Sequence, residues 1–290
     1  MRRWAQASRW FHGLGLLILC LGLAGWPDRA AAAEPKCEPA KIGTKYPSLA
    51  GKTFRSAIDP AGKPYAYRVP DDLTKITGLD AEFARAVFSC IGAPVEFVVG
   101  TLSGIVPAMA AGQIDLTFSH FIYTPERAQQ VDFVLFYKVS AVIVVQKGNP
   151  KNIRSLNDLC GLRGATQLGS TEVDTLQRTT DACVAAHKGE IVVSYAPNRP
   201  SGLQQLQTDR IDALLGIGTA VTYASDLFDI AGTYVNGGLA GVGTRKGDKE
   251  LQQAIFDAVT VLQANGEEKK LYETFEVDHA YAAPPKIVAQ

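Results

Sequence analysis

The chain has 290 residues, 47% of them hydrophobic, with 29 Lys and Arg against 29 Asp and Glu. That length can bury the cores of two modest domains, and the composition excludes a disordered or fibrous chain. Nothing in the charge pattern points to nucleic acid.

The N-terminus predicts an export signal over residues 1–33. Arg2, Arg3 and Arg9 form a basic start, and Gly13 to Gly25 is an apolar run too short to span a bilayer comfortably. Ala31-Ala32-Ala33 then offers a small-residue cleavage site before Glu34. Cys20 follows Leu19 rather than a small residue, which argues against a lipoprotein signal. Cleavage after Ala33 would remove four basic residues and one acid, leaving 25 against 28 and a net charge of −3. Four cysteines would remain, Cys37, Cys90, Cys160 and Cys183. An even number in an exported chain favours disulfides, and their spacings match no zinc pattern.

Thr53 to Ile58 reads as a short strand that runs into a turn-rich loop, Asp59-Pro60-Ala61-Gly62-Lys63-Pro64-Tyr65. Residues 68–77 are polar. From Gly78 onward, Phe83, Ala84, Val87 and Phe88 recur at helical spacing and should face a core. Pro94 to Val99 alternates as a strand, a helix begins near Thr101, and Gly112 stops it before an apolar strand from Ile114 to Phe118. Thr124-Pro125-Glu126-Arg127 has the marks of a helix start: a capping Thr, a Pro suited to the first position and an acid near the positive end. Arg127 therefore sits on a first turn just past a strand end. A guanidinium held there suits a carboxylate, which it can grip by two parallel hydrogen bonds; the competing reading is a surface pair with an acid such as Glu126.

Ser140 to Val145 is a β-rich run. Ala165 to Glu172 reads as strand, glycine turn and helix cap, with Thr171 and Asp174 at capping-box spacing. Free N–H groups at such a start also bind anions. Ile191 to Tyr195 is a strand, and Leu203, Leu206, Ile211 and Leu214 outline a helix–strand unit. Leu239 to Thr244 is another strand, Leu251 to Leu262 an amphipathic helix and Lys269 to Phe275 a short one. Residues 277–290, with Pro284 and Pro285, read as a loose tail. The four histidines are scattered, and no nucleophile-elbow or phosphate-loop pattern appears, so no cofactor is expected.

In order and spacing, these motifs resemble the polar amino-acid-binding proteins of ABC transporters, solute-binding protein family 3. The resemblance rests on Ser119 followed by Thr124-Pro125-Glu126-Arg127 and Val131-Asp132-Phe133, on Gly78 to Ala84, on Ala111 to Leu116 and on Leu156 to Gly161. It covers about residues 50–276. It implies an α/β fold of type II, two lobes joined by two crossover strands. Lobe one would comprise residues 37–139 and 240–290, and lobe two residues 140–239. Ligand would bind between the lobes and draw them together by a hinge motion.

By the same resemblance Arg127 is the carboxylate anchor, helped by Ser119 and by the backbone around Gly169, Ser170 and Thr171. Tyr65 or Tyr67 either forms an aromatic wall or merely covers its loop. Leu102 stands where the family often has an aromatic. The largest departure is Ile217, where the family has an Asp that binds the ligand's ammonium. The expected ligand is thus a carboxylate without a free α-ammonium, or one that places its amine elsewhere, with Asp59 the best substitute acceptor. Family resemblance also implies a Cys160–Cys183 disulfide, with Cys37 and Cys90 left as the expected second pair. The function implied is that of a periplasmic, monomeric binding protein serving an ABC transporter permease. A cyclohexadienyl-dehydratase-like enzyme on the same fold, or a binding protein serving a sensor or dehydrogenase system, are the alternatives.

Overall fold

A computed structural model describes residues 36–217 and 226–289. The expected export signal lies outside the described residues.

The first half builds α1 (Ile42–Lys45), β1 (Phe54–Ile58), β2 (Tyr67–Val69), β3 (Asp72–Thr77), α2 (Leu79–Ile91), β4 (Val95–Val99), α3 (Ile105–Ala110), β5 (Leu116–Ile122), α4 (Pro125–Ala128) and the long β6 (Val131–Gln146). The polar stretch 68–77 is the β2–β3 hairpin. Helix α2 buries Leu79, Phe83, Ala84, Val87, Phe88 and Ile91, the stripe expected from the sequence. It stops at Gly92, which takes the left-handed conformation and donates its N–H to the Phe88 carbonyl. Strand β1 lies between β4 and β5, parallel to both.

The second half repeats this plan with β7 (Arg163–Gln167), α5 (Glu172–Ala185), β8 (Val192–Ala196), α6 (Arg199–Gln207) and β9 (Ala213–Ile217). Strand β7 lies between β8 and β9, again parallel to both. The chain then returns through β10 (Phe228–Arg245), α7 (Lys249–Ala264), α8 (Glu267–Thr274) and β11 (Ala282–Val288).

The two crossovers are longer than expected. Strands β6 and β10 pair antiparallel along their whole length. Strand β10 meets β5 through Ala240–Thr244, and β6 meets β9 through Ala141–Val144, so the pair carries the chain from one group of strands to the other. Separate cores flank the two ends. One gathers α2, α7 and α8 around Phe83, Phe88, Phe118, Ile255 and Tyr272, and another holds Ile143, Leu159, Leu176, Cys183 and Leu215.

The C-terminal tail is not loose. Strand β11 pairs antiparallel with β6, joining Lys286, Ile287 and Val288 to Leu135, Val134 and Phe133. Pro284 and Pro285 fall in the register shift between Ala282 and Lys286, where missing N–H groups break no ladder bond. An apolar partner strand thus overrides the local breaker signal.

Both disulfides form, Cys37–Cys90 and Cys160–Cys183. One ties the segment before α1 to the end of α2, and the other ties the turn before β7 to α5.

An identical clamp closes the base of each strand group. In the first, Arg55 N and Nε donate to Asp115 Oδ2 at 2.8 and 3.2 Å, while Asp115 N donates to the Arg55 carbonyl at 2.8 Å. In the second, Arg163 N and Nε donate to Asp212 Oδ2 at 2.8 and 3.0 Å, while Asp212 N donates to the Arg163 carbonyl at 2.8 Å.

Candidate ligand-binding site

The opposite ends of these strands face one another across a cavity lined by Asp59, Tyr65, Leu102, Ser119, Arg127, Ser170, Thr171 and Ile217. Gly169 does not line it, but its carbonyl holds Arg127.

Arg127 is positioned by the local device read from the sequence. Thr124 caps α4 by accepting the Arg127 N–H at 3.1 Å, and Pro125 opens the helix. The guanidinium donates to the Ile122 carbonyl and to the Gly169 carbonyl, both at 2.7 Å, and lies 4.5 Å from the centre of the Phe121 ring. Two of its five N–H donors are thereby used, one toward each side of the cleft. Burial pulls its pKa down, and the carboxylates of Glu172 and Asp174 act against that. A planar, preoriented cation in a cleft is suited to a carboxylate.

Ser119 holds the loop after β1. Its hydroxyl accepts the Asp59 N–H at 3.0 Å and donates to the Ala57 carbonyl at 3.3 Å. Asp59 Oδ2 in turn accepts from Gln167 Nε2 at 2.7 Å, across the cleft, and from Leu102 N at 3.2 Å. Burial raises the Asp59 pKa, with those two bonds and the charge of Arg199 opposing it. The lobes are drawn together here. A Cβ on Gly169 would lie 2.5 Å from Ser103 Cα, and Gly169 has φ +83, so only glycine fits this approach.

Thr171 does not cap α5; no side-chain cap bond forms there, and its hydroxyl instead donates to Glu172 Oε2 at 3.3 Å. The reason is conformational, because Thr171 already has helical φ and ψ, −68 and −18, whereas a capping residue is extended. Ser170 Oγ pairs with Thr166 Oγ1 at 3.0 Å. Tyr65 is buried in its core with its ring 3.9 Å from that of His120, while still lining the cavity. Ile217, at the tip of β9, packs onto the core of the first lobe.

Several lining residues carry chemistry that the motifs did not point to. Glu172 is 3% exposed, and its Oε1 has no hydrogen-bond partner. Asp80 is 1% exposed with Oδ1 equally open, 3.8 Å from His120 Nδ1. Arg199 opens α6 behind the cap Asn198, whose side chain accepts the Ser201 N–H at 2.9 Å. Among the described residues it makes no hydrogen bond or ion pair. Burial lowers its pKa, against the influence of Tyr65, Asp59, Glu172 and Asp80. The helix start Asn198-Arg199-Pro200 was a readable signal for Arg199, since it matches the Thr124-Pro125 device in kind.

Two lobes of parallel strands, joined by paired crossovers with a polar cavity between their tips, define a type II periplasmic-binding-protein fold. Residues 54–277 match the model of the bacterial extracellular solute-binding proteins, family 3, and the chain belongs to that family. The L-cystine-binding protein TcyJ of Escherichia coli (strain K12) is 26% identical over 215 residues, covering 72% of this chain and 77% of that protein. An ancestral arginine-binding protein bound to arginine superposes with a TM-score of 0.70 at 28% identity, over 77% of this chain and 97% of that one. The ancestral amino acid-binding protein AncCDT-1, a precursor of cyclohexadienyl dehydratase, gives a TM-score of 0.67 at 29% identity, over 77% of this chain and 94% of that one.

Proposed function

We propose that the chain captures an amino acid or a closely related small carboxylate on Arg127 and presents it to the permease of an ABC importer. Lobe one would be residues 37–139 with 240–290 and lobe two residues 140–239. Residues 1–33 would export the chain to the periplasm and be removed. The protein works as a monomer and releases its ligand unchanged.

The observation that carries this reading is the Arg127 guanidinium, which is braced on one carbonyl from each side of the cleft and retains donors for a third partner. Support for the ligand class comes from the relatives, which are named as binding L-cystine and arginine. Ligand exchange needs an opening cleft, and the bonds that span it, Arg127 to Gly169 and Gln167 to Asp59, are few enough to break.

A thermal-shift panel of the standard L-amino acids, L-cystine and their 2-hydroxy acids identifies a working probe. Replacing Arg127 by Ala should then weaken that probe by about 2–5 kcal/mol, the cost of breaking a desolvated charge pair. Lysine at 127 should restore only part of it, because it lacks the planar fork. Unchanged affinity in Arg127→Ala sinks the reading. Recovery of a dehydrated product instead of the added compound would move the chain to the enzyme class.

A further inference from the structure

We propose that Glu172 is the acceptor for the ligand's ammonium, so that the site takes a zwitterionic α-amino acid although the tip of β9 carries Ile217. The ammonium site has moved from the end of a strand to the start of α5. This rests on the reading of Arg127 as carboxylate anchor.

The first observation is the state of the Glu172 carboxylate. It is almost fully buried, lines the cavity, and has one oxygen held by the Thr171 hydroxyl while the other has no donor. A buried carboxylate oxygen without a hydrogen bond destabilises the fold, and a glutamine of the same shape would avoid most of that penalty. The open oxygen gains its missing partner when a donor enters the cavity to meet it.

The second observation is where Glu172 stands relative to Arg127. Both side chains line one cavity, and Glu172 opens α5 just beyond the Gly169 carbonyl that holds the guanidinium, yet the two form no direct ion pair. An α-amino acid carries its carboxylate and its ammonium on one carbon, so the two anchors must be neighbours with a gap between them. Asp59 and Asp80 do not meet this condition. Asp80 Oδ1 faces His120 Nδ1 at 3.8 Å, and Asp59 Oδ2 is already occupied by Gln167 and Leu102. Arg199 offsets part of the charge of Asp59, Glu172 and Asp80 alike, whereas Arg127 is braced at the start of the loop that leads into α5 and Glu172.

The third observation concerns the place left empty of charge. Ile217 contacts the apolar core of the first lobe. An ammonium directed at it would lose water and gain nothing.

The test uses the full exported chain and the amino acid that shifts its melting most in the panel above, measured by calorimetry beside its 2-hydroxy acid. The parent should prefer the amino acid by about thirtyfold, the worth of a hydrogen bond to a charged group. In Glu172→Gln that preference should shrink to about threefold, through loss of amino-acid affinity alone. Intact 2-hydroxy-acid binding shows that this variant is folded. If it does not fold, Glu172→Asp is measured, with a selective loss of about fivefold or more in amino-acid affinity expected from the shortened arm. A glutamine variant that keeps the preference, or an Asp59→Asn variant that abolishes it, overturns the proposal. Equal binding of both compounds by the parent overturns it too, while leaving the Arg127 reading intact if Arg127→Ala weakens both. A panel in which only 2-hydroxy acids bind overturns this proposal and leaves the Arg127 reading to its own variant, while one in which neither class binds overturns both.

Discussion

The two lobes share a base and differ at their tips. Arg55 and Asp115 in one, and Arg163 and Asp212 in the other, make the same main-chain and side-chain bonds at almost the same distances. Each aspartate follows an Ile at the start of its strand, in Ile114-Asp115-Leu116 and Ile211-Asp212-Ala213. At the cleft ends the likeness stops. Strand β5 leads to Ser119 and on to Arg127, whereas β9 ends in Gly216 and Ile217 with no charge. The polar groups of the second lobe come from Gln167 at the end of β7 and from the starts of α5 and α6 instead. A repeated scaffold thus aligns the strands, and the loops after them are free to set the chemistry.

Removing the covalent staples would test how far the lobes are equivalent as scaffolds. The Cys37–Cys90 bridge spans 53 residues and the Cys160–Cys183 bridge 23. Loop-closure entropy makes these worth about 4 and about 3.5 kcal/mol. Urea unfolding of the two double serine variants should show that order, with the first-lobe variant the weaker. A reversed order would mean that the lobes unfold separately. Non-reducing peptide mapping checks the pairings themselves.

The base clamps come next in size. Asp115→Ala and Asp212→Ala should each cost about 1–3 kcal/mol, because a main-chain N–H and a guanidinium lose their acceptor. Asp115 has a further partner in Arg245 at 2.7 Å, closer than Lys151 stands to Asp212 at 4.0 Å, so its loss should be the larger. Acid should act through the same pairs. The Asp212 carboxyl is held below its usual range chiefly by hydrogen bonds from Arg163. For Asp115, burial pushes upward, but the Arg55 hydrogen bonds and the Arg245 charge prevail and the pKa is lowered. A depressed folded-state value stabilises above the unfolded value near about 4 and is lost as pH falls through the folded one. Each alanine variant should therefore lose less stability than the parent as pH falls below about 4. Parallel stability–pH curves would remove the clamps from the account.

The smallest effect should come from the closest approach of the lobes. Gly169→Ala places a methyl group against the backbone of Ser103 and strains a left-handed residue, at about 1–2 kcal/mol. It should weaken binding about tenfold and reduce the ligand-induced fall in radius of gyration seen by small-angle scattering. The same closure with and without the methyl group would show that the lobes meet elsewhere.

Much of this protein was legible from its residues alone. Thr124 and Pro125 set the first turn of α4, so the place of Arg127 on that turn was legible locally, while the Gly169 carbonyl that holds its guanidinium comes from distant chain. The amphipathic stripe of α2 and the glycine stop at Gly92 are of the same kind. Where contacts come from distant chain, local signals failed. Pro284 and Pro285 suggested a loose end, yet β6 offered an apolar edge and the tail became a strand. Thr171 had the spacing of a cap, yet the turn at Gly169 that meets Ser103 leaves it already helical. Glu172 read as an ordinary first-turn acid, favourable at a helix start anywhere. Its solvent exclusion and its open oxygen depend on which strand tips face it across the cleft. Spacing along the chain sets what a residue can do for its neighbours within a turn or two, but the folded chain decides which charges are left without partners, since their partners would come from segments far away in sequence.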